Sequence, residues 1–328
     1  MPNINEIKNR ISSVKSTKKI TGAMYLISSA KMQRARENLS RVRPFFEAQM
    51  VEIKKIFEHA GDFSSPYFDV KEGGKTGYIV ITADKGLAGA FNLNIMHEYE
   101  KAVRMNPNSC VYAVGDTGIR YFANHKIHVA GEFHERAPFP SHKWARKIAA
   151  AILDDYLAGE VSELRIIYND VESELTYVVK NERLLPFEHV GFVYSGEQTI
   201  EDAYSGSLSP NETEENVEYH FSKGGTELRF EQPPEEILDL IMPQYLAGCI
   251  FGALTDSFCA EQSARMAAMK AASDNADALL SELRIEFNRV RQGAITQEIT
   301  EVAAGARAQK KRRQAKALQK KASVKKAI

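Results

Sequence analysis

The sequence predicts an α/β protein in which long N- and C-terminal helices form an antiparallel coiled coil beside a separate α/β domain. Three observations predict it. Residues 3–58 contain no proline except Pro44 and no glycine except Gly22. Residues 244–304 contain no proline at all. Between these stretches, β-branched apolar runs alternate with helix-like segments. At ~1.5 Å per residue, each terminal helix could run roughly 80–90 Å, far beyond the dozen or so residues of an ordinary globular helix. Helices of that length suit a rod, and a rod made from the two ends of one chain is antiparallel.

Apolar spacing indicates how the rod pairs. Ile4, Ile7, Ile11 and Val14 follow one another at steps of three and four. Ile20, Met24 and Ile27 continue as a stripe after a phase slip. In the last helix Leu280, Leu283, Phe287, Val290 and Ala294 alternate three and four, the spacing of a coiled-coil seam. Beyond Ala294 that seam turns polar at Gln297 and Glu301, while Ile295, Ile299 and Val302 begin another stripe. Pro233 and Pro234 suit a helix entry, Glu235 and Glu236 suit its positive N-terminus, and Pro243 is expected to kink or restart the helix.

The middle of the chain reads as a layered α/β domain over 77–190. Residues 59–76 are a polar loop with Gly and Pro, and TGYIVITAD follows as a buried strand. A helix over roughly 92–105, the strand CVYAVGD, a short helix in TGIRYFANHK and a weaker strand HVAGEF come next. Residues 141–158 form an amphipathic helix capped by Ser141. SELRIIYNDV and ELTYVVKNERLLPF are two strands close enough to make a hairpin. Strands alternating with helices imply a mostly parallel, Rossmann-like sheet. The segment 195–222 is a polar, acidic surface excursion, and FSKGGTELRF is expected to form one more hairpin. The resulting divisions are 1–58 (first helix), 77–190 (α/β domain), 191–233 (variable polar excursion), 234–306 (last helix) and 307–328 (basic extension).

Composition bounds the function. The chain has 328 residues, 44% apolar and 26% charged, as in a soluble globular protein. No unbroken run of 18 apolar residues occurs, which argues against a membrane span, and MPNINEIKNR lacks a secretory apolar region. Cys110, Cys249 and Cys259 have no metal-ligand spacing and read as small buried residues. The net charge of zero hides an asymmetry. Residues 307–328 hold ten Lys or Arg and no acid, leaving 33 basic against 43 acidic residues elsewhere.

No catalytic constellation stands out, and no cofactor or metal is called for. The segment Ala83–Gly89 follows a strand and precedes a helix, where an open sheet binds phosphate, but neither GxGxxG nor a phosphate-loop Lys with Ser or Thr is present. It reads as a tight turn, and so does Gly115–Gly118. The eight His do not cluster as ligands, and the paired carboxylates Asp154–Asp155 and Glu214–Glu215 look solvated.

The segments EIKNRISSVKSTKKITGAMYLISSAKMQR, TADKGLAGAFN, ERLLPF and EQSARMAAMKAASDNADALLSELRIEFNRVRQGAITQEITEVAAGA occur in that order. Together they resemble the gamma subunit of F-type ATP synthases, over residues 2–306. The resemblance implies a central rotor stalk: a non-catalytic subunit that couples ion flow through a membrane c-ring to ATP synthesis or hydrolysis in a ring of alpha and beta subunits. It implies that Arg291 and Gln292 meet the catch loops of that ring, with Lys18, Lys19, Met24 and Lys31 on the first helix also facing it. Ala303, Ala304, Gly305 and Ala306 would form the tip in the ring's bearing. Arg41, Arg43 and Pro44, with the 195–222 excursion, would face epsilon and the c-ring at the foot. The implied location is peripheral, on the cytoplasmic face of a bacterial inner membrane or the equivalent organellar matrix side.

Departures from the family pattern are informative. Asp84–Ala90 lacks the cysteine usual in that loop, Gly22 stands where a polar or basic residue is usual, and the chain extends 22 residues past Ala306. An isolated tail of ten like charges is expected to be largely disordered and to lie outside an apolar sleeve, against acidic surface on the delta subunit or the alpha N-termini. The alternatives are a gamma paralogue in a specialised rotary ATPase with a non-standard output, or a structural coiled-coil protein with a basic nucleic-acid-binding tail.

Overall fold

The computed structural model describes residues 4–59, 65–69, 71, 73–134, 138–172, 176–187 and 232–325. The excursion 195–222 and the hairpin expected in FSKGGTELRF lie outside the described residues. The element order is α1 (Ile4–His59), β1 (Lys75–Ile81), α2 (Phe91–Met105), β2 (Ser109–Val114), α3 (Asp116–Asn124), β3 (Val129–Phe133), α4 (His142–Leu157), β4 (Val161–Val171), β5 (Tyr177–Leu185) and α5 (Pro234–Lys325). These residues form two compact units: Ile27–Ala268, and Met1–Leu26 with Met269–Ile328.

In the unit Ile27–Ala268 the five strands form one sheet in the order β3-β2-β1-β4-β5. The first four strands are parallel, and β5 pairs antiparallel to β4 as a hairpin. Strand residues alternate between two cores, as a pleated sheet requires. Ile79, Ile81, Val114, Leu164 and Ile166 pack with α4 and with the α1 and α5 segments of this unit. Tyr78, Val80, Val111, Ala113 and Ile167 pack with α2 and α3. Ser141 caps α4, its Oγ accepting the Trp144 N–H at 3.3 Å.

The two long helices run antiparallel in this unit. Cys259 Sγ donates to the Met32 carbonyl at 3.9 Å, Phe46 packs on Gly248, and Gln49 reaches Gln244 at 3.5 Å, so later residues of α1 meet earlier residues of α5. The approach is close at Gly248, where a Cβ would lie 2.4 Å from the Phe46 ring. From Tyr245 to Met269, α5 is buried on most of its circumference. Although no unbroken apolar run reaches 18 residues, α5 is by length and composition apolar enough to cross a membrane. Of that apolar window, however, 61% is buried inside the protein, so a core helix accounts for it. Pro243 neither ends nor restarts α5, which is helical on both sides of it.

In the unit of Met1–Leu26 and Met269–Ile328 the same helices close on one another. Lys18 Nζ bridges Asp277 at 2.5 and 2.6 Å from its two carboxylate oxygens. Ala276, Leu280 and Leu283 are buried, and Phe287, Val290 and Ala294 are half-buried, as the seam spacing predicts. Past Ala294 every residue through Arg312 is exposed. Antiparallel pairing through Lys18 and Asp277 puts Ile4 level with about residue 291, at ~1.5 Å per residue. Burial of α5 thus fades where α1 begins.

The burial of α1 corrects the phase slip. Ile4, Ile11, Lys18, Tyr25, Met32, Leu39, Phe46 and Ile53 recur every seven residues, as do Ile7, Val14, Thr21, Ser28, Ala35, Val42, Gln49 and Ile56. All sixteen are buried or half-buried, so the heptad is continuous. It passes through polar residues between Val14 and Met32: Thr21 and Ser28 are buried there, whereas Ile20 and Ile27 are 60% and 56% exposed. Ile295, Ile299 and Val302 also face outward, so the second stripe of α5 is surface in this chain.

Candidate partner-binding surfaces

The outward residues of α1 and α5 carry the chemistry that one chain leaves unused. Arg291 and Gln292 are exposed beside the seam residue Val290, and their side chains make no bond to the described residues. Met24 is half-buried, with Ile20, Leu26 and Ile27 exposed near it on α1. On α5, Ile285, Ile295, Ile299 and Val302 are exposed. Exposed apolar residues outside the seam are candidates for contact with another molecule. Ala303, Ala304, Gly305 and Ala306 are exposed too, and a Cβ added at Gly305 would meet nothing within 4 Å.

Two lysines of the first helix are already engaged. Lys18 occupies a seam position and is bound to Asp277. Lys31 is half-buried and faces a cavity of about 110 Å³ at the carboxyl ends of β1 and β2. At the other end of α1, Arg41 and Pro44 are exposed, and Arg43 pairs with Glu47 at 3.0 Å. The structure leaves Arg291 and Gln292 exposed and Met24 half-buried well away from them along α1, and pairs Lys18 with Asp277 and Arg43 with Glu47, while Lys31 lines the cavity.

The loop after β1 is held by hydrogen bonds around this cavity. Asp84 Oδ1 accepts the Asp116 N–H at 3.0 Å, and Asn92 Oδ1 accepts the Ala83 N–H at 2.9 Å. Arg265, buried on α5, donates to the carbonyls of Lys85 and Gly86 and pairs with Glu261. Burial pushes the Glu261 carboxyl up, opposed by the charges of Arg265 and Lys31. Gly115 turns the chain with φ +92° and lets it approach Thr82, whose carbonyl would lie 2.2 Å from any Cβ there. The loop is thus latched from behind, and its glycines shape turns.

A second charged group lies between α5 and the β4–β5 hairpin. Asp256 is half-buried, and its carboxyl is pushed up to about 7 by desolvation and then by Asp170, with Lys180 and Arg43 opposing. Lys180 bridges Asp170 at 2.7 Å, and Glu182 accepts the Tyr168 hydroxyl at 3.1 Å. Sequence reasoning missed Arg265, Glu261 and Asp256. A charged residue inside an otherwise apolar helical stretch was the available signal, most visible for Asp256 in CIFGALTDSFCA.

Residues 3–309 match the ATP synthase family. The sodium-ion-specific ATP synthase gamma chain of Acetobacterium woodii is 35% identical over 306 residues, covering 93% of this chain and 98% of that one. The chain belongs to the ATP synthase gamma-chain family. The gamma chain of Caldicellulosiruptor saccharolyticus is 36% identical over 312 residues, covering 93% and 98% of the two chains. Among solved structures, the central stalk and c-ring of the Tetrahymena thermophila mitochondrial ATP synthase contains a chain of similar fold. Its TM-score is 0.55 at 20% identity, over 77% of this chain and 99% of that one. The rotor of the Euglena gracilis enzyme gives 0.55 at 15% identity, over 89% and 98%. As a gamma-family member, the chain has its two long helices and its mixed sheet-and-helix domain where the family similarity runs; residues beyond 309 fall outside the match.

Proposed function

We infer that this chain is the central-stalk subunit of a rotary F-type ATP synthase. It couples ion flow through a membrane c-ring to ATP synthesis or hydrolysis in a ring of alpha and beta subunits, and it is not itself the catalyst. The carrying observation is the outward face of α1 and α5: exposed apolar residues and the unbonded Arg291 and Gln292 on a helix pair whose seam is already filled. In a gamma-family chain, that face fits a ring closing around the rod. An asymmetric rod favours a different conformation in each surrounding subunit, so turning it and changing nucleotide affinity become linked equilibria.

Specific roles follow from that reading. Arg291, Gln292 and Met24 contact the ring as it turns, through charge-assisted bonds and an adaptable thioether. Lys18 and Lys31 reach the same partners only by leaving Asp277 and the Glu261–Asp84 cavity, respectively. Ala303–Ala306 make the bearing tip, where small side chains keep the surface smooth. Arg41, Arg43 and Pro44 lie at the foot, against epsilon and the c-ring. We read the α/β domain, whose parallel strands run in the order 3-2-1-4, as a Rossmann-like body that serves without a nucleotide site. The divisions 1–58, 77–190, 191–233, 234–306 and 307–328 act as rod, body, excursion, rod and extension. The delta subunit is a candidate partner for the extension. The assembly sits peripherally on the cytoplasmic face of the membrane or its organellar equivalent.

The test is co-purification. The tagged chain should bring down alpha and beta in a 3:3:1 ring with ATPase activity. A chain recovered alone, from cells making all the subunits, would overturn the reading.

A further inference from the structure

We propose that the cavity at the carboxyl ends of β1 and β2 is a binding site for one small oxyanion that retains a proton, of the size of inorganic phosphate. Such a site goes beyond the stalk reading and does not depend on it. The cavity lies within the unit Ile27–Ala268 and measures about 110 Å³. The chain leaves β1 toward β2 and later crosses to β4 on the other side of β1, so the sheet order switches there. In open α/β sheets the crevice outside the carboxyl ends of the strands, beside such a switch, is where ligands bind.

The cavity is walled by α1, by the turns after β1 and β2, by the β3–α4 connection and by α5. These walls are braced from outside. Arg265 pairs with Glu261 and donates to the carbonyls of Lys85 and Gly86 at 3.4 and 3.2 Å. Phe139, in the β3–α4 connection, packs on Phe258 of α5 with ring centroids 5.8 Å apart, and the Arg34 guanidinium lies 4.8 Å over its ring.

Polar groups inside are left unspent. Gln262 and Ser257 line the cavity and are each 2% exposed, yet their side chains make no hydrogen bond to the described residues. A buried amide and hydroxyl without partners are costly, so a site that keeps them holds water or a ligand. Lys31 also lines the cavity, half-buried, and its ammonium makes no ion pair with the described residues. The charge of Arg265, by contrast, is met by Glu261, and Asp84 Oδ1 accepts the Asp116 N–H. On the cavity wall Lys31, Lys85 and Arg265 outnumber Asp84 and Glu261 by one, so the unspent charge is positive.

The donor set selects the ligand. Lys31, Gln262 and Ser257 offer N–H and O–H groups to the oxygens of an anion. Asp84 and Glu261 repel a fully ionised anion but accept a bond from one that still carries a proton. That combination favours hydrogenphosphate over sulfate. Size excludes a nucleotide: pockets for drug-sized ligands run about 300–1,000 Å³, whereas this cavity suits a few waters or one tetrahedral ion.

Trp144 is the one tryptophan of the chain and lines the cavity, so its fluorescence reports on this site. The purified full chain is titrated with potassium phosphate at neutral pH and constant ionic strength. The expected result is a saturating change with half-saturation at or below about 1 mM, with sulfate binding about tenfold weaker or worse. Lys31→Gln and Gln262→Leu should each weaken phosphate about tenfold. Phosphate should also raise the melting temperature of the parent, an effect both variants lose. Gln262→Leu exchanges an unpartnered amide for an apolar side chain of similar size, so it preserves the test if circular dichroism shows Lys31→Gln to be unfolded. No phosphate-dependent change in either fluorescence or melting temperature up to about 50 mM overturns the site. So does half-saturation that is equal in the parent and the folded variants, or sulfate that binds as tightly as phosphate. The stalk reading fails separately, on co-purification.

Discussion

Asp256→Asn should stabilise this protein at alkaline pH and have little effect in acid. The carboxyl of Asp256 is pushed from 3.8 to about 7, first by desolvation and then by Asp170, with Glu182 adding and Lys180 and Arg43 opposing. A carboxyl whose folded-state pKa is raised holds its proton more tightly in the folded chain than in the unfolded one. Its contribution is therefore fully present below about 4 and falls as pH rises through about 7. A rise of about three units at ~1.4 kcal/mol each sets an upper bound of about 4 kcal/mol for the cost of the ionised form above pH 7. Asparagine keeps the shape and removes the charge, and losing the attraction of Lys180 and Arg43 trims the gain. The expected stabilisation is about 1–4 kcal/mol at pH 8, shrinking toward zero at pH 4. Urea denaturation of the purified subunit between pH 4 and 8, at fixed ionic strength, measures it. An Asp256→Asn protein no more stable than its parent at pH 8 would refute the reasoning and show that Arg43 and Lys180 dominate.

Other substitutions test the rod. Leu283→Ala, at a residue only 4% exposed, should cost about 2–5 kcal/mol, while Phe287→Ala at a half-buried seam position should cost less than full burial implies. An unchanged melting temperature in Leu283→Ala would show the seam to be misphased. Arg291→Ala and Gln292→Ala should shift stability by under about 0.5 kcal/mol yet lower coupled turnover, since neither side chain is bonded to the described residues. Wild-type torque and speed in both would remove them from the ring contact. Gly248→Ala places a methyl 2.4 Å from the Phe46 ring and should cost about 1–3 kcal/mol. Gly248→Ala with Phe46→Leu should recover part of that loss, and a double mutant worse than the sum of the singles would argue against direct contact.

Strand-to-helix alternation, the Ser141 cap, the hairpin and the Leu280–Ala294 seam were legible because each is a local pattern whose period or spacing survives in any context. Family membership was legible in the long terminal segments. The continuous heptad of α1 was not legible. Lys18, Thr21, Tyr25 and Ser28 lie where an apolar residue is expected, and Ile20, Leu26 and Ile27 are apolar but point outward. An apolar residue that awaits another molecule looks, in sequence, the same as one destined for the chain's own core.

The site divides in the same way. Arg291 and Gln292 were picked out by resemblance, and their exposure agrees with a surface role. That Lys18 is bound to Asp277 and Lys31 turned toward a cavity depended on which side chains the packed helices bring together. Asp256 and Arg265 are ordinary letters in an α-helix until the hairpin and the β1–α2 loop close over them. Periodicity, capping and composition act over a few residues, so the sequence by itself determined the elements, their order and the family. Burial, desolvation and ion pairing join residues hundreds of positions apart, so only the tertiary structure decided which faces were spent on the fold and which remained for a partner.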